Sequence, residues 1–191
     1  QPEIMGLDAV YVDVFDTYYA SGEMNFWVTP SLMKNLKDHA DRLRKSLIGK
    51  PAPNLIMQDA NLKPRSMHDI KNKYTILFIF DPDCGHCKTE TPKLVDFYNK
   101  NKTKFDIEVF AVSADTSIAK MRDFAKQFKT PWITVNGPRT YVGPYSDLYD
   151  SQTTPSIYII DEKKKIIAKK PPIEKLEEFF TNYEKFKKKG S

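Results

Sequence analysis

The feature that most constrains this sequence is a strand-like run that leads directly into a helix opening with two cysteines. Residues 74–80 are β-branched and aromatic, and the run is short enough to be a fully buried strand. Cys84-Gly85-His86-Cys87 follows, and apolar side chains then recur at helical spacing in residues 88–100. The sequence therefore predicts two thiols at the junction between a buried strand and a helix.

Such a junction suits redox chemistry. Cys84 and Cys87 are the whole cysteine content of the chain, and two thiols at this spacing can close into a small disulfide and reopen. The first sulfur would face unpaired backbone N–H groups and the positive end of a helix dipole, which favour the thiolate. We therefore predict a dithiol that exchanges electrons with other thiols.

Length and composition limit the number of domains and the classes of partner that this chain can have. With 191 residues, the chain is long enough for one well-cored domain plus an appendage. No apolar run approaches the ~20 residues that span a bilayer, so no transmembrane segment is predicted. The net charge of +5 is modest and its lysine clusters lie at a predicted hairpin tip and near the C-terminus, so nucleic acid is not an expected partner. Because the chain begins with Gln, we expect a processed product whose cellular address has been removed.

Two helices are predicted ahead of a boundary at residues 49–53. Apolar residues at helical spacing indicate a helix over residues 7–20, and Thr29-Pro30 offers an N-cap for a second helix that runs to Leu47. Gly and Pro residues then interrupt the periodicity. We predict a helical lead-in over residues 1–48, a remnant of a larger N-terminal region, followed by a domain over residues 49–186 and a tail over residues 187–191.

Strands and helices alternate after that boundary. Strands are predicted at residues 55–58, 74–80, 107–113, 132–135, 156–161 and 165–169, and helices at residues 84–101, 117–128, 145–149 and 173–186. The strand–helix–strand start implies parallel pairing across a crossover helix, whereas a tight turn at residues 161–164 makes the last two strands antiparallel. The order predicts an α/β fold with a central mixed sheet flanked by helices.

The order of elements and the motif together resemble the thioredoxin-like family, and most of all its TlpA/ResA-type thiol–disulfide oxidoreductases of bacterial cell envelopes. The resemblance covers about residues 47–185 and is carried by residues 49–55, 80–92, 148–150 and 153–161. A lone CxxC would be weak evidence because zinc sites use it too, but here Thr154-Pro155 also opens a later strand. The resemblance implies a thioredoxin-like fold with a β-α insertion at about residues 132–149, preceded by a short helical region.

The resemblance also implies roles for the central residues. Cys84, exposed at the helix N-terminus, is expected to attack a substrate disulfide, and Cys87, one turn further in, to resolve the mixed disulfide. Thr154-Pro155 is expected to be a cis peptide opposite the dithiol, where the Thr154 backbone pairs with an extended substrate chain. The electrons reside in the two sulfurs, so neither a cofactor nor a metal is expected.

His86 and Gly85 are predicted to tune the dithiol. A cationic imidazole beside a thiolate stabilises it, which lowers the pKa of Cys84 and makes the disulfide more oxidising. Relatives that share the Gly-His dipeptide include disulfide isomerases, with potentials of roughly −180 mV against roughly −270 mV for thioredoxin. Asp83 stands where the common pattern has Trp, and its negative charge opposes His86, which leaves the sign of the net shift open.

Glu90 is the candidate proton acceptor. Thioredoxins themselves carry a buried Asp on the strand before the motif, at the position that is Phe78 here. The envelope branch often carries Glu three residues after the second cysteine, and Glu90 matches that pattern. One turn beyond Cys87, it could accept the proton of that thiol directly or through water. The alternative is a first-turn acid that interacts with the helix dipole.

We therefore predict a protein-disulfide oxidoreductase of the periplasm or cell envelope, membrane-anchored through a preceding N-terminal segment. It would act on protein thiols and disulfides, either as a reductase fed by a membrane electron donor or as an isomerase. Two other classes stay open. One is a Cu(I) or zinc carrier that uses Cys84, Cys87 and a histidine. The other is a peroxidase, which the residues preceding Cys84 do not favour.

Overall fold

The structure is a computed structural model that describes residues 7–189. Helix α1 (Leu7–Val14) continues into a π-helical turn (Phe15–Tyr19), and helix α2 (Pro30–Lys45) packs beside it. The predicted N-cap of α2 is confirmed, because Thr29 Oγ1 accepts a hydrogen bond from the Leu32 N–H at 3.2 Å. The helix ends at Lys45, two residues before the predicted end at Leu47.

A seven-stranded mixed sheet forms the centre of the fold. Its strands are β1 (Ile56–Asp59), β2 (Pro64–Ser66), β3 (Tyr74–Phe80), β4 (Ile107–Ser113), β5 (Ile133–Asn136), β8 (Ser156–Asp161) and β9 (Ile166–Lys169), in the order β2-β1-β5-β4-β3-β8-β9. A separate two-stranded sheet contains β6 (Arg139–Thr140) and β7 (Gly143–Pro144). β3 pairs with β4 in parallel and with β8 antiparallel, and β8 pairs with β9 antiparallel, as predicted.

Three helices cover the sheet: α3 (Gly85–Phe105), α4 (Ile118–Phe128) and α5 (Leu176–Lys189). Short 3-10 turns lie at Asn25–Trp27, Met67–Asp69, Tyr145–Asp147 and Ile173–Lys175. The third of these replaces the helix predicted at residues 145–149, and together with β6 and β7 it fills the predicted insertion. In the described part of the chain, every helix is too short or too polar to cross a membrane.

Two predicted helix ends were too early, and tertiary contacts explain both. α3 runs past Asn101 because Phe105 is buried in the core, and left-handed Asp106 ends the helix. α5 runs past Phe186 through Lys189, and Lys187 in its last turn forms an ion pair with Glu162 at 2.8 Å. Residues 187–189 are therefore helical, and the last two residues of the predicted tail lie outside the described residues. The predicted domain boundaries stay a prediction.

The core lies on both faces of the sheet, and β3 is its centre. All seven residues of β3 are buried, as expected of a strand covered on both faces. Successive side chains alternate between faces: Phe78 and Phe80 pack under α3 and α4, whereas Leu77 and Ile79 pack on the opposite face. The carboxyl end of β3 lies beside the amino end of β8, because Ile79 pairs with Ser156. This register brings the loop before α3 next to the segment before β8.

Candidate active site

Cys84 is the N-cap of α3. Its backbone is extended (φ −70°, ψ 124°), and its carbonyl accepts the first helical hydrogen bond, from the Lys88 N–H at 3.2 Å. The loop before it is fixed locally: the Cys84 N–H donates to the Asp81 carbonyl at 3.1 Å, and Asp81 Oδ1 accepts from the Asp83 N–H at 2.8 Å. The thiol therefore lies at the N-terminus of α3, and it is only partly buried.

Backbone donors surround the Cys84 sulfur. Burial raises the pKa of this thiol, but hydrogen bonds from the Cys87 N–H, the Thr154 side chain and the His86 N–H outweigh burial, so the pKa lies below its ordinary value. The Cys84 thiol also donates to the Thr154 carbonyl, with Sγ and O separated by 3.4 Å. Cys84 is thus an accessible thiol that is biased toward the thiolate.

Cys87 lies in the opposite environment. It is fully buried in the core between β3 and α3, and its Sγ accepts a hydrogen bond from the Asp81 N–H at 3.4 Å. Burial, reinforced by the neighbouring Cys84 sulfur, raises the pKa of Cys87 to about 12. Both cysteines are free thiols in this structure. The pair therefore combines one reactive sulfur with one sulfur that is protected from solvent.

The segment that precedes β8 forms the opposite wall of the site. The Thr154–Pro155 peptide bond is cis, and Ser156 Oγ donates to the Thr153 carbonyl at 2.6 Å. The hydroxyl of buried Tyr158, on β8, donates to the carbonyl of Asp150, which precedes the cis peptide, at 2.7 Å. These contacts fix the segment around the cis peptide, whose Thr154 carbonyl lies beside the Cys84 sulfur.

Gly85 and His86 occupy the first turn of α3, and both are exposed. Gly85 has no positive φ, and a Cβ at this position would meet nothing within 4 Å, so the backbone does not require glycine here. His86 contributes its backbone N–H to Cys84, whereas its imidazole has no hydrogen-bond partner within residues 7–189. A tuning role for the imidazole or for Gly85 stays a prediction.

Glu90 lies further along α3, where its carboxylate forms an ion pair with Lys93 at 2.6 Å. Lys93 also pairs with Glu174, beside the N-terminus of α5, at 2.5 Å. Among the described residues, no hydrogen bond joins Glu90 to Cys87. The role of Glu90 as proton acceptor therefore stays a prediction.

Sequence reasoning missed the partner of Asp83. Its carboxylate accepts from Lys120 Nζ at 2.7 Å, and the same ammonium group binds Asp115 at 2.8 Å. The negative charge expected to act against His86 is thus paired with a cation. Only the general rule that a surface acid attracts a base could have suggested this, because Lys120 lies on α4, remote in sequence from the motif.

The two histidines outside the dithiol motif contact groups other than the cysteines. His68 Nε2 lies 2.9 Å from the Ala52 carbonyl oxygen, and His39 packs edge-on against Tyr11. Within residues 7–189, no group of three or more His, Cys, Asp or Glu side chains is arranged to hold a metal ion.

An accessible thiol at a helix N-terminus, a buried partner thiol and an adjacent cis-proline on a mixed sheet define the thioredoxin-like thiol–disulfide oxidoreductases as a class. Residues 48–169 match the AhpC/TSA family, and the chain belongs to this family.

Curated relatives carry the name thiol-disulfide oxidoreductase ResA. The protein of that name from a strain of Bacillus cereus is 29% identical over 126 residues, which cover 65% of this chain and 70% of the relative. The ResA of Bacillus subtilis (strain 168) is 27% identical over 119 residues, which cover 62% of this chain and 64% of the relative.

Solved structures agree on the fold. A domain of a possible thiol-disulfide isomerase from Cytophaga hutchinsonii superposes with a TM-score of 0.68 at 38% identity, covering 75% of this chain and 97% of that domain. A thioredoxin-like protein from Bacteroides caccae superposes with a TM-score of 0.76 at 20% identity, covering 91% of this chain and 62% of that one. At 20% identity, the Bacteroides caccae structure supports the fold only.

Proposed function

We propose that this protein exchanges disulfides with other proteins through Cys84 and Cys87. The observation that carries the proposal is the asymmetry of the two thiols: Cys84 is partly exposed and its pKa is lowered, whereas Cys87 is fully buried and burial raises its pKa to about 12. A reactive first sulfur and a protected second sulfur are what a two-step exchange requires.

In the reducing direction, the Cys84 thiolate attacks one sulfur of a substrate disulfide. A bond forms between Cys84 and that sulfur, the substrate S–S bond breaks, and the departing substrate thiolate takes a proton. Cys87 then loses its proton and attacks Cys84 Sγ, which releases the second substrate thiol. The protein ends with a Cys84–Cys87 disulfide, two electrons having passed to the substrate, and the oxidising direction reverses each step.

The second step needs a proton acceptor, because a thiol with a pKa of about 12 is almost wholly protonated at neutral pH. We assign this role to Glu90, which lies one helical turn beyond Cys87 and is partly buried. A water molecule would have to connect the two groups. Lys93 holds the carboxylate in place through their ion pair.

Thr154 and Pro155 are proposed to bind the substrate chain. The Thr154 carbonyl already lies 3.4 Å from Cys84 Sγ, so a chain extended along this segment would present its disulfide to the thiolate. Backbone pairing of this kind gives affinity for polypeptides without demanding a particular sequence.

The compartment and the direction are also proposals. Resemblance to the envelope branch favours the periplasm or cell envelope, with protein thiols as substrates and a membrane protein as electron donor. The Gly85-His86 dipeptide and the isomerase-like structural relative favour an isomerase. Equilibration with glutathione decides between them: a potential near that of disulfide isomerases, roughly −180 mV, contradicts a dedicated reductase.

The experiment for the function is reduction of insulin disulfides with dithiothreitol as the electron source. We expect the wild-type protein to accelerate the reaction, and Cys84→Ala to abolish the acceleration. Hydrogen peroxide consumption and copper or zinc content of the reduced protein are measured on the same samples. Peroxide turnover, or stoichiometric metal without insulin reduction, would contradict the proposal and favour the peroxidase or the metal carrier.

A further inference from the structure

A lysine from a neighbouring helix binds the residue that directly precedes the nucleophile. Lys120 Nζ lies 2.7 Å from Asp83 Oδ2 and 2.8 Å from Asp115 Oδ2, so one ammonium group bridges two carboxylates. Lys120 belongs to the first turn of α4, and Asp115 to the loop between β4 and α4. The bridge therefore ties the loop before Cys84 to a different part of the fold.

The Lys120 side of this bridge is held independently of Asp83. Asp115 Oδ1 accepts from the Ser117 N–H at 2.7 Å, and Ser117 Oγ in turn caps α4 by accepting from the Lys120 N–H at 3.3 Å. The two loops also meet through the backbone, because the Ala114 N–H donates to the Phe80 carbonyl at 2.8 Å. These hydrogen bonds hold the segment that carries Lys120 in place beside the loop that precedes Cys84.

We propose that Lys120 is a positioning residue that neutralises Asp83 beside Cys84 and thereby sets the reactivity of that thiol. The inference rests on the proposed function, since it concerns the same sulfur. Asp83 directly precedes Cys84, so without Lys120 its carboxylate would leave an uncompensated negative charge on the residue adjacent to a cysteine that must become a thiolate to react. Solvent-exposed ion pairs of this kind contribute little to stability, so replacing Lys120 should leave the fold intact.

Within residues 7–189, the Lys120 ammonium forms no hydrogen bond or ion pair with the other groups around Cys84. Cys87 and His86 face it from α3, Asp81 belongs to the loop before it, and Tyr145 approaches Asp81 from the segment that leads to Pro155. Thr154 and Pro155 themselves carry no titratable group. Replacing Lys120 also removes this partner from Asp115, so a second substitution at Asp83 is needed to assign the change to Asp83.

The test is the rate of iodoacetamide alkylation of Cys84 as a function of pH, in a Cys87→Ala background so that a single thiol reacts. We expect Lys120→Met to raise the apparent pKa of Cys84 and to slow alkylation at pH 7 by about two- to fivefold, the effect of one nearby unit charge in a largely solvated site. Lys120→Arg should restore the wild-type rate. The effect should shrink in 1 M salt, because exposed charges are screened.

A double-mutant comparison separates charge from structure. The Asp83→Asn, Lys120→Met double variant should react within about 1.5-fold of the Cys87→Ala parent, because it removes the carboxylate and the ammonium together and leaves the net charge beside the motif unchanged. Lys104→Met is the matched control, since Lys104 forms a comparable exposed pair with Glu177 at 2.8 Å between α3 and α5. It should leave the rate unchanged.

An unchanged rate in Lys120→Met, or a double variant as slow as Lys120→Met alone, would overturn the inference. These measurements follow Cys84 chemistry directly and need no protein substrate. Compensation between residues 83 and 120 in a protein that fails to reduce insulin would therefore contradict the proposed function alone. Insulin reduction without compensation would contradict this inference alone.

Discussion

The most quantitative consequence of the site is the selectivity of its two thiols toward alkylation. An ordinary cysteine, with a pKa of about 8.5, is about 3% thiolate at pH 7. Hydrogen bonds to Cys84 lower its pKa from the ordinary value, which favours the thiolate. Cys87, with a pKa of about 12, should be only about 0.001% thiolate at the same pH. The ratio of thiolate populations is therefore at least about a thousandfold in favour of Cys84.

The assay is brief exposure of the reduced protein to iodoacetamide at pH 7, followed by mass spectrometry of the peptides. Burial of Cys87 adds to the selectivity, because the reagent must also reach the sulfur. As the pH rises, labelling of Cys84 should reach a plateau at a lower pH than that of an unstructured cysteine peptide. Labelling of Cys87 should keep rising about tenfold per pH unit.

Protein unfolded in guanidinium is the control, and there both cysteines should react at similar rates. Comparable labelling of the two cysteines in the folded protein, or faster labelling of Cys87, would refute the assignment of Cys84 as the nucleophile. Either result would also remove the physical basis of the two-step exchange.

Three further substitutions test separate parts of the structure. Gly85→Ala should fold normally and raise the free energy of unfolding by up to about 1 kcal/mol, since no contact or positive φ requires glycine there; a lower melting temperature would show otherwise. Phe180→Ala should lower the free energy of unfolding in urea by about 3–5 kcal/mol, because this fully buried ring packs against the ring of Phe97 and its loss leaves a cavity; a loss below about 1 kcal/mol would contradict its place in the core. Glu90→Gln should slow release of a substrate from the mixed disulfide by at least about tenfold without changing alkylation of Cys84; an unchanged release rate would leave Glu90 as the partner of Lys93 alone.

The sequence anticipated the elements whose stability is locally encoded. β3, β4 and β8 have the predicted bounds, because strands covered on both faces consist of continuous β-branched and aromatic runs that end sharply. β2, β6 and β7 were not predicted. They are two or three residues long and polar or Gly- and Pro-containing, and their pairing depends on neighbours such as β1 rather than on their own residues.

The same distinction applies to the site. Cys84 and Cys87 could be identified because both lie in one short motif at one structural junction. The ion pair between Asp83 and Lys120 could not, because residues distant in sequence leave no periodic signature when their side chains meet. For Glu90 the sequence located the residue but not its contact with Lys93, since side-chain orientation on a helix is decided by whichever charges lie within reach.

The measurement that tests the central claim most directly is trapping of the mixed disulfide in single-turnover reactions. The Cys87→Ala protein, incubated with a disulfide-bonded polypeptide, should accumulate a covalent complex through Cys84, visible by intact mass and released by dithiothreitol. The Cys84→Ala protein should form no such complex, because its remaining thiol is buried. Complex formation through Cys87 in the Cys84→Ala protein, or none in the Cys87→Ala protein, would contradict the account.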